Sequence, residues 1–159
     1  MKRILSGLCG FLLLLGFDQW TKWMAYHFLK NAGEIPVIGN IFVFQYLENQ
    51  GAAFGILQNQ QIFLIVLTAV ILIAIVFAYC KMPDNKRLNP LRILTVMLAA
   101  GAVGNMLDRI LHRYVIDFLY FKLINFPIFN VADCYVVIAA VVAAILIMFY
   151  YKEEDFKVS

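Results

Sequence analysis

The stretch from Gly101 to Asp133, GAVGNMLDRILHRYVIDFLYFKLINFPIFNVAD, concentrates the side chains able to do chemistry. Asp108, Asp117 and Asp133 lie at the ends of two strongly apolar runs, and Asn105 and Asn130 each precede an aspartate by three residues. An ionisable group near a bilayer core costs roughly 2.5–3.5 kcal/mol on insertion scales. Several carboxyls placed there with amide partners therefore point to use. Two carboxylates brought close cannot both ionise easily, so one pKa rises and the pair holds a single proton. One member then takes a proton from water while the other polarises a carbonyl. That is peptide hydrolysis without a metal or a covalent intermediate.

Rival chemistry is thinly represented. Ser6 and Thr68 sit in apolar runs without a nearby base. The three cysteines, Cys9, Cys80 and Cys134, and the two histidines, His27 and His112, show no metal-ligand spacing, so neither a metal nor another cofactor is expected. A transporter or proton channel also uses intramembrane acids, but distributes them through the membrane depth. A non-catalytic membrane subunit predicts no clustering of acids. Here the acids gather toward one side, which favours catalysis near a membrane surface.

The elements that must position these groups follow from composition. The chain has 159 residues, 64% hydrophobic and 14% charged, with a mean hydropathy of +0.83. Soluble domains are about 45–50% apolar and about 25% charged. The expectation is an all-α membrane protein of one domain spanning 1–159, a four-transmembrane-helix bundle with a small extracytoplasmic β-like platform. The net charge of +3 comes from basic residues flanking apolar runs, with no patch to hold nucleic acid.

Met1-Lys2-Arg3 before an apolar run resembles a signal peptide, but Asp18-Gln19-Trp20-Thr21-Lys22 after the run is no small-residue cleavage site. The segment is therefore a retained helix, about 4–28. The 31–61 segment is punctuated by Gly33, Pro36, Gly39 and Asn40. Between them lie β-branched and aromatic runs, so short strands of an outer platform are expected there. Further helices are expected at 62–79, 91–111 and 131–151, with a polar Pro-bounded hairpin after the first of these. Gly101 and Gly104 permit close helix approach.

Within this frame the polar residues admit two readings each. Asp18 and Lys22 are four apart and share a helix face. They are either an ion pair that makes insertion tolerable or a support for a site at the far face. Asn105, Asp108 and His112 recur at i, i+3 and i+7 on one face of the third helix, with Arg109 directed elsewhere. Asp117 lies in a β-branched, extended exit from that helix. Asn130 is placed to cap the fourth helix with Asp133 at its third position, which is either a capping pair or part of the site.

Five ordered stretches carry a resemblance: Asp18-Gln19-Trp20-Thr21-Lys22, Asn49-Gln50-Gly51-Ala52-Ala53-Phe54, Gly101 to Arg109, Val115-Ile116-Asp117-Phe118, and Phe129-Asn130-Val131-Ala132-Asp133. Together they resemble the motifs of bacterial prolipoprotein signal peptidase (signal peptidase II), over nearly the whole chain, with a short second outer loop as the main departure. The resemblance implies an aspartic endopeptidase of the bacterial inner membrane. Its substrates would be diacylglyceryl-modified prolipoproteins, cut just before the lipidated cysteine. It implies Asp117 and Asp133 as the catalytic dyad, with Asn105, Asp108, Arg109 and Asn130 lining and bracing the site. Asp18, Lys22 and Asn49 would support it or contact substrate. It also implies membrane lipid as surroundings, a globomycin-type inhibitor at the same place, and a monomer.

Orientation follows from Lys and Arg. Lys2, Arg3, Lys81, Lys86, Arg87, Arg92, Lys152 and Lys157 lie on the side of the termini, against Lys22, Lys30, Arg109, Arg113 and Lys122 on the other. This bias puts both termini in the cytoplasm and the aspartates toward the outer face. Single cysteines introduced at Asn40 and Asn85, in a chain lacking the native three, should react with impermeant thiol reagent outside and inside respectively. The reverse pattern would move the site to the cytoplasmic face.

Overall fold

A computed structural model of the chain describes residues 2–51 and 56–156. The expectations for Ala52, Ala53 and Phe54 lie outside the described residues. The elements run α1 (Lys2–Leu29), β1 (Ile35–Ile38), β2 (Phe42–Asn49), α2 (Gln61–Lys81), α3 (Asn89–His112), β3 (Val115–Tyr120) and α4 (Val131–Phe149). All four helices are long and apolar enough to cross a membrane. Each exceeds the length needed for about 30 Å of hydrocarbon or closely matches it. Their outward faces stay apolar and exposed, as Ile62, Val66, Val70 and Ile73 do along α2. Such faces are those of helices suited to a hydrocarbon surrounding.

Helix α3 packs against the other three and is the centre of the bundle. Two glycines set its distance from its neighbours. A Cβ on Gly104 would strike the Asp18 carboxylate of α1, and one on Gly101 would strike the Ala132 carbonyl at the start of α4. The bundle core at this level is polar. Lys22, Asn130, Asp18, Asp108 and Asp117 are among the most completely buried large side chains in the chain.

The three strands form one antiparallel sheet in the order β1-β2-β3. Two of them come from the 31–61 segment, as its β-branched pattern anticipates. The third is contributed by the extended stretch that carries Asp117. Arg113, in a left-handed conformation at φ 68°, ends α3 and turns the chain into β3. A bulge between Phe44 and Leu47 shifts the register so that Leu47 faces Asp117 and Asn49 faces Val115. Phe44, Tyr46, Ile116 and Phe118 pack toward Ala25 and Leu29 of α1. The Lys30–Glu48 ion pair (2.9 Å), with the Tyr46 hydroxyl donating to Glu48 at 3.1 Å, ties the end of α1 to β2.

At the opposite end, Arg3 pairs with Asp84 at 3.5 Å and Arg87 with Asp155 at 3.2 Å. Buried Arg92 donates to the Pro83 and Asn85 carbonyls. The first residues, the α2–α3 connection and the segment after α4 are thus held at one end, and the sheet lies at the other.

Replacing Gly104 by Ala drives a methyl into a buried carboxylate, and overpacking of this kind costs about 1–3 kcal/mol. Gly16 has nothing within 4 Å of the equivalent position. Reversible unfolding in detergent should show Gly104→Ala destabilised by about that amount and Gly16→Ala within about 0.5 kcal/mol of the parent.

Candidate active site

Asp117 and Asp133 reach the same cavity, of about 1120 Å³, from different elements. Asp117 comes from the middle of β3 and is 1% exposed. Asp133 lies in the first turn of α4, half-buried. Asn49, Asn105 and Arg109 line the cavity beside them.

Three asparagine amides hold the two carboxyls. Asn49 Nδ2 donates to Asp117 Oδ2 at 2.9 Å, and Asn130 Nδ2 donates to Asp117 Oδ1 at 2.6 Å. Asn105 Nδ2 donates to Asp133 Oδ1 at 2.7 Å, and the Asn130 backbone N–H donates to Asp133 Oδ2 at 3.0 Å. An amide offers a donor end and an acceptor end, so its orientation needs a cause. Each of the three has one. The Gly51 N–H donates to Asn49 Oδ1 at 2.9 Å, Lys22 Nζ to Asn105 Oδ1 at 3.0 Å, and the Asp133 N–H to Asn130 Oδ1 at 3.0 Å. Each carbonyl end is held, so each NH2 end faces a carboxyl.

Asn130 and Asp133 form the full reciprocal capping box of α4. The cap that one of the two sequence readings of this pair expects is therefore present. The cap fixes the asparagine, and the amide nitrogen left over reaches Asp117.

Beneath the pair lies a second, fully buried cluster. Lys22 Nζ sits 3.1 Å from Asp18 and 3.0 Å from Asp108. Burying one cation against two anions is costly unless the remaining lone pairs are also filled. They are filled here. Asp18 Oδ1 accepts the Ala132 N–H at 2.9 Å, and Asp108 Oδ2 accepts the Ile116 N–H at 3.1 Å. Asp18 thereby holds the start of α4, and Asp108 holds β3 one residue before Asp117. Gln19 Nε2 lies 3.2 Å from Asp18, 3.1 Å from Asp108 and 3.3 Å from the Gly104 carbonyl. Gln19 has no individual role in the sequence reading. Its signal was a neutral amide beside a charged pair in an apolar helix.

Arg109 is buried and donates to the Gly51 carbonyl at 2.9 Å and to the Asn105 carbonyl at 3.3 Å. It steadies the turn that orients Asn49. His112 shares a helical face with Asn105 and Asp108 by spacing, but it lies at the exposed end of α3 and stacks on Tyr114. Helical spacing places residues on a common face without bringing both ends of that face indoors.

Burial pushes the Asp117 carboxyl from 3.8 up to about 7, the nearby Asp133 charge adds to the rise, and the Asn49 and Asn130 amides oppose it. Asp117 therefore retains a proton across the acidic range, and Asp133 sits among hydrogen-bond donors in the first turn of α4. One proton held on one side of a carboxyl pair is the condition for general acid–base hydrolysis.

Fold and site together define a small polytopic membrane protein with a paired-carboxyl centre at one end of its bundle. The chain belongs to the signal peptidase (SPase) II family, whose sequence pattern matches residues 10–149. It is 44% identical over 124 residues to the lipoprotein signal peptidase of Caldanaerobacter subterraneus subsp. tengcongensis, covering 77% of this chain and 82% of that one. It is 38% identical to that of Clostridium tetani over 152 residues, covering 92% and 96%. A solved structure described as a bacterial membrane enzyme, determined by the in meso method at 2.3 Å resolution, superposes with a TM-score of 0.81. The two share 31% identity, over 96% of this chain and 94% of that one. Family membership makes the protein a membrane peptidase and displaces the transporter reading.

The Asp117 pKa has a signed consequence. A carboxyl whose pKa is raised on folding favours the folded state below its unfolded value, and that contribution is lost as pH rises through the folded value. Asp117 thus adds stability below pH 3.8 and loses it by about pH 7. Infrared titration of the protonated carboxyl band, assigned by its absence in Asp117→Asn, should give a midpoint near 7. Asp133→Asn should lower that midpoint and Asn49→Ala should raise it. A midpoint near 4 in the parent would contradict the assignment.

Proposed function

We propose that this protein is an aspartic endopeptidase that removes the signal peptide from diacylglyceryl-modified prolipoproteins, cutting just before the lipidated cysteine, with Asp117 and Asp133 as its catalytic dyad. The observation that carries the dyad is the orientation of three amides toward these two carboxyls, combined with the raised pKa of Asp117.

In this reading Asp133 starts ionised and accepts a proton from a water held between the carboxyls. The resulting hydroxide attacks the scissile carbonyl carbon while Asp117 donates its proton toward the carbonyl oxygen. The tetrahedral diol then collapses. The proton on Asp133 passes to the leaving amine, the carbonyl re-forms, and a proton returns to Asp117. Asn49 and Asn130 keep Asp117 in place through this exchange, and Asn105 does so for Asp133. Asp18, Lys22 and Asp108 act from below by holding Asn105, the start of α4 and the start of β3. Arg109 holds the turn after β2.

The whole chain acts as a single membrane domain and a monomer in the bacterial inner membrane. Both termini are cytoplasmic, the cavity faces the outer leaflet, and lipid surrounds the bundle. A globomycin-type inhibitor would occupy the same cavity. These statements rest on the family, on the distribution of Lys and Arg, and on the separation of the Arg-rich end from the sheet.

Purified protein should cut a diacylated prolipoprotein with and without a chelator. Asp117→Asn and Asp133→Asn should each reduce kcat by about four orders of magnitude or more while leaving folding intact, since members of one acid–base unit fail together. Near-parental cleavage by either variant would reject the dyad and make Asp108 the next candidate. The alkaline limb of kcat/KM should have an apparent pKa near 7, belonging to the pair as a unit.

A further inference from the structure

The cavity around Asp117 and Asp133 has a largely apolar lining interrupted on the sheet side by the carboxamides of Gln45 and Asn125. On the α4 side it is bounded by Cys134, Val136, Val137 and Ile138, within about one and a half helical turns of Asp133. On the sheet side Gln45 of β2, Tyr120 at the end of β3 and Asn125 border it beside the apolar Leu47, Val115, Pro127 and Ile128. Among the described residues, no hydrogen-bond partner is found for the Gln45 side chain or for Asn125 Nδ2. Asn125 is nonetheless well held. Its Oδ1 accepts from the Tyr120 hydroxyl at 2.7 Å, and its backbone N–H reaches the Lys122 carbonyl at 3.1 Å. The turn before it is fastened by the Lys122–Glu34 ion pair and by the Leu123 N–H to the Ile41 carbonyl at 3.4 Å.

We infer that Gln45 and Asn125, backed by Tyr120, form a binding subsite for the polypeptide that follows the scissile bond, gripping its main-chain amides in extended form. This rests on the proposed cleavage and deepens it. A carboxamide offers a donor and an acceptor, which matches a peptide group irrespective of the side chains it carries. The direction follows from the proposed orientation, in which the chain beyond the cut lies outside, on the side of the sheet. Apolar substrate parts lose least against the α4 wall, where unpaired polar groups would be costly. A polar, extended chain finds its partners on the sheet side. Tyr120 lies three residues past Asp117 on β3, about 10 Å at about 3.3 Å per residue. An extended substrate advances at the same rate, so the residues near the third position after the cut reach these amides.

The test uses two diacylated peptides, one ending directly after the cysteine and one extended well beyond the third following residue. KM and kcat are measured for the parent and for a Gln45→Ala/Asn125→Gly variant. Glycine suits the left-handed backbone of Asn125, at φ 48°. In the parent, the long peptide should have a KM about 5–10-fold lower than the short one, the size expected from one or two hydrogen bonds. The variant should lose that advantage, with kcat unchanged and the short peptide unaffected. Equal KM for both peptides in the parent would overturn the subsite, as would a loss in the variant that falls equally on both. If the parent cut neither peptide, the cleavage reading itself would fail and take the subsite with it.

Discussion

The site depends on three carboxamides that cannot turn over. Asn49, Asn105 and Asn130 each have the carbonyl oxygen held by a donor fixed elsewhere, respectively the Gly51 N–H, the Lys22 ammonium and the Asp133 N–H. Rotating any one by half a turn would set oxygen against a carboxyl oxygen and nitrogen against a donor. The NH2 groups are therefore committed to Asp117 and Asp133. In a buried setting an unsatisfied polar group costs about 1–3 kcal/mol, so each commitment is strongly enforced. Two acidic groups held only by one another would repel. Held by fixed amides, they keep one geometry.

The buried cation gives this arrangement its foundation. Lys22 meets Asp18 and Asp108 from α1 and α3, and a third ligand, Asn105, carries its influence to Asp133. The same two aspartates accept backbone N–H groups from α4 and β3, Asp18 through its other oxygen and Asp108 through the oxygen that also meets Lys22. Each element bearing a proposed catalytic carboxyl is thus anchored to one charged cluster. Buried ion pairs are a weak source of net stability. Here the cluster gives registry, since it fixes where α4 begins and where β3 runs relative to α1 and α3. The glycine at 104 is what lets Asp18 approach closely enough to take part.

The sheet divides its two faces between packing and polar work. One face carries Phe44, Tyr46, Ile116 and Phe118 against α1. The other presents Asn49 and Asp117 to the cavity together with Gln45 and Leu47. A strand, unlike a helix end, can bury a carboxyl between its neighbours and still expose it to a cleft on one side. That accounts for the different environments of the pair. Asp117 is desolvated on a strand, and Asp133 sits among donors at a helix start. Burial on the strand is the main cause of the raised Asp117 pKa.

Much of this was legible from residue order. Long apolar runs determine the helices, because lipid admits few other backbone arrangements. The acids at their ends mark where a polar cluster gathers within the bundle. The asparagine three residues before Asp133 determines a capping box, since that interaction is local. What residue order left open were the contacts between distant segments. The extended stretch carrying Asp117 read as an exit from a helix, and only the tertiary structure makes it the third strand of the platform begun at Ile35. The amide of Asn130 could be read as a cap, but its second bond, to Asp117, exists only because β3 passes in front of α4. Gln19 drew no individual role, because its value comes from Asp108 and Gly104 on another helix. His112 shows the opposite limit, a residue on the correct face that the end of α3 leaves exposed. Local physics decides elements and caps; hydrogen-bond partners many residues apart are decided only when helices close around glycines and a sheet forms across them.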